Sequence, residues 1–100
     1  MNAKERMRFD LGQTVATPGA LEALQRNNSS GIEYLRRHAS GDWGIVCEEY
    51  KQINEQARKT GARLLSAYFL PDETTLWIIT DAEDDMGKRQ ATTLLLPEEY

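Results

Sequence analysis

Between Ala62 and Tyr100 the apolar positions come in short runs separated by turn residues. Leu64–Leu70 is apolar on both alternating sets of positions, which suits a strand covered on two sides. Pro71, Asp72, Glu73 and Thr74 supply a turn. In Thr75–Thr80, Trp77 and Ile79 share one face while Leu76 and Ile78 share the other. After a polar loop at Asp81–Gln90, Ala91–Leu96 reads as a third strand that Pro97 stops. β-Branched, aromatic and Leu residues dominate all three runs. Little before residue 62 can form a core without them.

Upstream the period changes. Arg8–Ala16 partly alternates through Phe9, Leu11 and Val15 and predicts a short strand, with a bulge at Gly12. Thr17-Pro18 is a helix start: a capping hydroxyl followed by a residue that needs no N–H partner. The helix runs Gly19–Arg26, with Leu21 and Leu24 on one face. Ser29 or Ser30 caps a second helix over Gly31–Ala39, with Glu33 completing a capping box and Ile32, Leu35 and Ala39 at helical spacing. Trp43 lies in the turn Ser40–Gly44 and plugs one end of the core. The longest helix is predicted over Ile45–Thr60, on the stripe Val46, Tyr50, Ile53 and Ala57, and Gly61 ends it. Residues 1–7 read as a frayed end.

These pieces predict one α+β domain over residues 1–100: an antiparallel sheet of three or four strands with about three helices packed on one face. A chain of 100 residues leaves no room for a second domain. With 40% hydrophobic and 28% charged residues it belongs with globular proteins. Cys47 is the single cysteine, so no internal disulfide forms, and a reducing cytoplasm is the expected location. No apolar run reaches membrane-spanning length, so no membrane association is expected.

Candidate chemistry is sparse. Cys47 and His38 are the only thiol and imidazole, and they fall on different predicted helices with no oxyanion-hole motif beside them. No catalytic residue is assigned, and the protein is expected not to be an enzyme. Asp81–Gly87 resembles a calcium loop but misses its register: the sixth position is Met86 rather than Gly, and the twelfth is Thr92 rather than Glu. One Cys and one His make no zinc set. No metal or cofactor is therefore expected. Glu48 and Glu49 diverge on their helix and read as surface charge, as do Glu98 and Glu99.

Binding remains. Six Trp and Tyr residues are many for this length, and interfaces favour such side chains. A thin sheet covered on one face leaves the other for another protein, either a host protein or a second copy. Tyr68, Trp77 and Trp43 are the aromatic candidates, and Asp81, Glu83, Asp84 and Asp85 form an acidic patch for a basic partner. The alternative is a nucleic-acid site built from Arg36, Arg37, Arg58, Lys59 and Arg63. A net charge of −4 speaks against it.

Several segments share a signature: Phe9–Leu24, Arg36–Gly44, Arg63–Tyr68, Leu76–Thr80 and Thr92–Tyr100. Together they resemble a family of small bacterial proteins carried on plasmids, integrative elements and phages. Its members are labelled plasmid-related, or sometimes type I restriction endonuclease subunit M. The chain has no Gly-rich cofactor loop and is too short for a methyltransferase fold, so that second label implies nothing here. Similar proteins carry Asp-Gly where this chain has Asp72-Glu73, and a shorter loop than Asp81–Gln90. The resemblance implies a non-catalytic accessory of a mobile element. One concrete version is a counter-defence inhibitor of a host nuclease system.

Overall fold

Residues 7–100 are described by this computed structural model, so the frayed end expected over residues 1–7 lies, Met7 apart, outside the described residues. Along them run β1 (Gln13–Ala16), α1 (Pro18–Arg26), α2 (Gly31–Ala39), α3 (Glu48–Thr60), β2 (Leu64–Phe69), β3 (Thr75–Thr80) and β4 (Ala91–Leu95). A 3-10 turn at Pro97–Glu99 follows. The α+β class is as expected. The sheet order is β1-β4-β3-β2.

The sheet is mixed, not wholly antiparallel. β2, β3 and β4 pair antiparallel through two hairpins, whereas β1 runs parallel to β4, with Thr14 opposite Thr92. No hairpin ties β1 to a neighbour. Its chain departs through three helices, and a long crossover of that kind is what a parallel pair requires.

Register sorts the strands into two faces. Leu64, Ser66 and Tyr68 of β2 align with Thr80, Ile78 and Leu76 of β3, and these with Thr92 and Leu94 of β4. α1 and α2 cover this face. Their Ala20, Ala23, Leu24 and Tyr34 close over Tyr68, Leu76, Ile78 and Leu94 to make the main core. A smaller cluster joins Trp43, Ala57 and Leu64, with Phe9 and Val46 against it.

α3 departs from the expected layer of three helices. It lies along the outer edge of β2, where the Asn54 side chain bonds the Leu65 backbone. It also begins later than its pattern suggests. Residues 43–45 are drawn off to pair with β2: Ile45 N–H donates to Ala67 at 2.7 Å, and Ala67 N–H to Trp43 at 3.2 Å. The predicted stripe breaks at Ile53, which is half-exposed, and the buried positions of α3 are Asn54 and Ala57. β1 is shorter than predicted for a related reason. Gly12 sits at φ +65°, where a Cβ would meet the Arg89 carbonyl oxygen at 2.3 Å, so the chain turns there before it can pair.

Candidate functional site

The second sheet face carries Leu65, Ala67 and Phe69 of β2, Thr75, Trp77 and Ile79 of β3, and Ala91, Thr93 and Leu95 of β4. Among the described residues no helix lies flat on it. The approach to α3 instead raises a wall along one side, made by Ile45, Val46, Cys47 and Tyr50. With Leu65, Ala67, Thr75, Trp77 and Ile79 as floor and Arg63 and Tyr100 at the far side, it encloses an open trough of about 420 Å³.

The C-terminal turn positions Tyr100. Pro97 opens that turn, and the Glu99 carboxylate anchors it to the start of α1. Thr17 Oγ1 donates to Glu99 at 2.5 Å, Gly19 N–H at 3.0 Å and Leu96 N–H at 2.8 Å. These bonds, the Thr17 hydroxyl foremost, hold the Glu99 carboxyl below its ordinary pKa. Tyr100 then meets Trp77 edge-on, with ring centres 5.7 Å apart. Arg63 bonds the Tyr100 hydroxyl and lies over its ring, 5.5 Å from the centre. Among the described residues, ion pairs engage Arg26, Arg37, Arg58 and Arg89 but not Arg63. The trough is thus apolar and aromatic, with one cation at its side that has no carboxylate partner there.

Of the aromatic candidates, Trp77 alone lies in this trough. Tyr68 is 1% exposed and belongs to the opposite face. It packs on Tyr34, its hydroxyl donates to the Asp42 carbonyl at 2.6 Å, and Arg37 lies over its ring. Strand alternation puts Tyr68 with Leu76 on the covered face and Ala67, Phe69 and Trp77 on the open one, so no partner on the open face touches Tyr68. Trp43 is also buried. It stacks on Phe9, meets His38 edge-on and donates through Nε1 to Glu55 at 2.9 Å. It is a core plug rather than a contact.

The acidic loop is a built hairpin outside the trough. Asp84 Oδ1 accepts from the N–H groups of Met86 and Lys88, both at 2.9 Å, and Oδ2 accepts from Gln90. Asp84 therefore shapes the turn, while Glu83 lies 4.0 Å from the buried Arg89. Asp81 and Asp85 are exposed beside them. The basic candidates are dispersed. Arg36 and Arg37 lie on α2, Arg58 and Lys59 at the end of α3, and Arg63 before β2. Arg37 is paired with Asp42 at 2.8 Å and Arg58 with Glu55 at 2.9 Å. Arg63 is the one that lines the trough.

Cys47 and His38 do not meet: Cys47 is exposed in the trough, and the sheet separates it from His38. His38 belongs to a buried polar chain that sequence reasoning missed. Its Nδ1 lies 2.5 Å from Ser66 Oγ and its Nε2 lies 2.8 Å from Thr80 Oγ1, which lies 2.7 Å from Thr92 Oγ1. Thr92 donates to the Leu11 carbonyl. A carbonyl only accepts, so the direction of the chain follows. Thr92 gives its proton to Leu11, Thr80 gives to Thr92, and His38 Nε2–H gives to Thr80. Nδ1 is then the acceptor for Ser66, and the imidazole is neutral. Burial, with the charge of Arg89 adding, pushes His38 down to about 3. A Ser beside a His suggests a nucleophile and its base, but both are 0% exposed, so no substrate atom reaches them. The signal in the sequence was polar residues at inward strand positions: Ser66, Thr80 and Thr92.

Among the described residues, no group of three His, Cys, Asp or Glu side chains is placed to hold a metal, and no helix is long and apolar enough to cross a membrane. Compared with protein-family models, curated proteins and solved structures, the chain matches none.

Proposed function

We propose that this protein acts by binding another protein on the open face of its sheet, without catalysing a reaction. The observation that carries this reading is the trough itself. Trp77 and Tyr100 form an aromatic floor and rim, and Arg63 stands beside them with no carboxylate partner among the described residues. Aromatic residues and Arg are the side chains that dominate binding energy at protein interfaces. The chemistry selects a partner segment with a bulky apolar side chain for the trough and a carboxylate for Arg63. The narrower version is a cytoplasmic accessory of a mobile element that inhibits a host nuclease system. It adds only the resemblance to plasmid- and phage-borne proteins.

Trp, Tyr and Arg also stack on bases, so the same face has a nucleic-acid alternative. Sixteen acidic residues against twelve basic weigh against it. One experiment separates the two. The tagged protein is used to capture partners from bacterial lysate, with and without nuclease, beside Trp77→Ala and Arg63→Gln. A dominant protein that survives nuclease and is lost with both variants supports the reading. A signal that vanishes with nuclease moves the function to nucleic acid. Capture that is indifferent to both substitutions removes the open face as the site.

A further inference from the structure

The two edges of the sheet are treated differently. The outer edge of β2 is closed. Asn54 donates to the Leu65 carbonyl at 2.7 Å and accepts from its N–H at 3.1 Å, and residues 43–45 pair with Ala67 further along. Proteins block edges in this way because an unpaired edge recruits another strand. β1, at the opposite edge, carries none of the usual blocking devices among the described residues. Its sequence Gln-Thr-Val-Ala has no Pro, no Lys and no inward charge. The N–H groups of Gln13 and Thr17 point to β4, so alternation turns the backbone groups of Thr14 and Ala16 outward.

The surface beside this edge is apolar. Leu21 of α1 and Ile32 of α2 are 57% and 60% exposed, although each falls on the apolar spacing of its helix, and Val15 is 41% exposed. Between them lies a shallow cleft of about 230 Å³ along Thr14, Val15 and Ala16. None of the nine residues lining it is charged.

We infer that β1 is a self-association edge, on which a second copy of this chain adds its own β1 antiparallel to the first. A twofold axis through Val15 sets Thr14 opposite Ala16 of the second copy. Both residues point outward, so each such pair exchanges both of its backbone hydrogen bonds. The axis stands perpendicular to the sheet, so the helices of both copies lie on the same side. Leu21 and Ile32 then meet their counterparts above the joined sheet, and the two Val15 side chains meet below it. Neutrality of the patch matters because each copy carries −4 overall, and a charged patch would repel itself. A standard interface takes about 800 Å² per partner. That is about an eighth of the 6274 Å² surface of the chain, and the exposed Val15, Leu21 and Ile32 form the apolar part of it along this edge. The trough on the open face stays free in this arrangement.

The test is the molar mass in solution of the full chain across a concentration series, by light scattering and sedimentation equilibrium. The expected result is a mass near twice 11.4 kDa for the natural sequence. Leu21→Lys with Ile32→Lys should return it to the monomer mass with an unchanged circular dichroism spectrum, since both side chains are already half-exposed. Trp77→Ala should leave the dimer intact. A monomer throughout the series overturns the inference. So does a dimer that survives the double lysine variant, or one that Trp77→Ala abolishes.

Discussion

Asn54 of α3 and Leu65 of β2 are joined by two hydrogen bonds, the side-chain amide taking the place of a neighbouring strand. Asn54 is completely buried, and toward Leu65 its amide turns one of its two N–H donors and its carbonyl oxygen, as a peptide group of a neighbouring strand would. It therefore ends the sheet and fixes α3 to it in a single contact. Asn54→Leu keeps the branched shape, with somewhat more bulk, but leaves the Leu65 N–H and C=O unpaired under the helix. An unsatisfied buried group costs about 1–3 kcal/mol. The expected loss is about 3 kcal/mol in urea unfolding, with concentration-dependent aggregation as the unblocked edge recruits other chains. A loss below about 1 kcal/mol would mean that water takes over both bonds.

His38 sets the acid limit of the fold. Its folded pKa, about 3, lies below the ordinary value of 6.5. Below pH 6.5 the unfolded chain therefore takes up a proton that the native state refuses. Its contribution to stability is whole above pH 6.5 and declines as pH falls toward 3, by about 1.4 kcal/mol per unit. Between pH 7.5 and 5 the expected loss is about 2 kcal/mol in urea unfolding. His38 is the single histidine, and the depressed carboxyls of Glu55, Asp72, Asp84 and Glu99 act mainly at lower pH, so this window reports chiefly the imidazole. His38→Gln should flatten the profile over the window, at reduced stability. A flat profile in the natural sequence would show that the imidazole titrates as in the unfolded chain.

Turn and cap chemistry made most element ends legible. Thr17-Pro18, Ser30 and Gly61 mark helix ends where they were expected, and the two hairpins follow from their loops. What stayed hidden needed a third dimension. β2 and β3 are apolar on both faces, so alternation alone does not say which set the helices cover. That is why Tyr68 and Trp77 read alike, although one is core and the other surface. The direction of β1 was hidden because a four-residue strand without a hairpin can add to an edge either way. Asn54 was missed because an amide in a polar helix looks like solvent-facing sequence until a strand edge is set against it. Trp77 could be named from the sequence as a candidate contact, but that Arg63 and Tyr100 lie beside it depends on the C-terminal turn that Glu99 holds.

Glu73 sits in the left-handed region at φ +70°. It closes the turn between β2 and β3, where its N–H donates to Leu70 at 2.8 Å, as Thr74 N–H donates to Asp72 at 3.0 Å. A residue with a Cβ costs about 1–2 kcal/mol in that conformation, and glycine does not. Glycine loses about 0.4–1 kcal/mol of this through the entropy of the unfolded chain. Glu73→Gly is therefore expected to stabilise by about 0.5–1 kcal/mol, a rise in Tm of about 4 °C. Glu73→Ala keeps the Cβ and should give no gain, and an equal gain from both variants would place the effect in the lost carboxylate instead.

Arg89 is, among the described residues, the one charged side chain of the core, 4% exposed, and it binds three carbonyls from three segments. Nη1 donates to Ala62 at 2.7 Å and to Asp81 at 2.9 Å, and Nη2 donates to Ala57 at 3.1 Å. These lie in the last turn of α3, ahead of β2 and just after β3, so one guanidinium closes that end of the molecule. Its positive charge also meets the C-terminal carbonyls of α3, where a cation is favoured. Arg89→Met fills similar space but leaves carbonyls unpaired, at about 3 kcal/mol. Arg89→Lys keeps the charge and still fails, because a single ammonium has no planar fork with which to reach carbonyls on separate segments. The two variants should therefore be destabilised to a similar degree. The Glu83 amide, bonded to Gly61 at 2.7 Å, should exchange its hydrogen faster in both, since Arg89 holds that loop against α3. If Arg89→Lys matched the natural sequence in both measurements, charge at the helix end rather than the fork would be what fixes the loop.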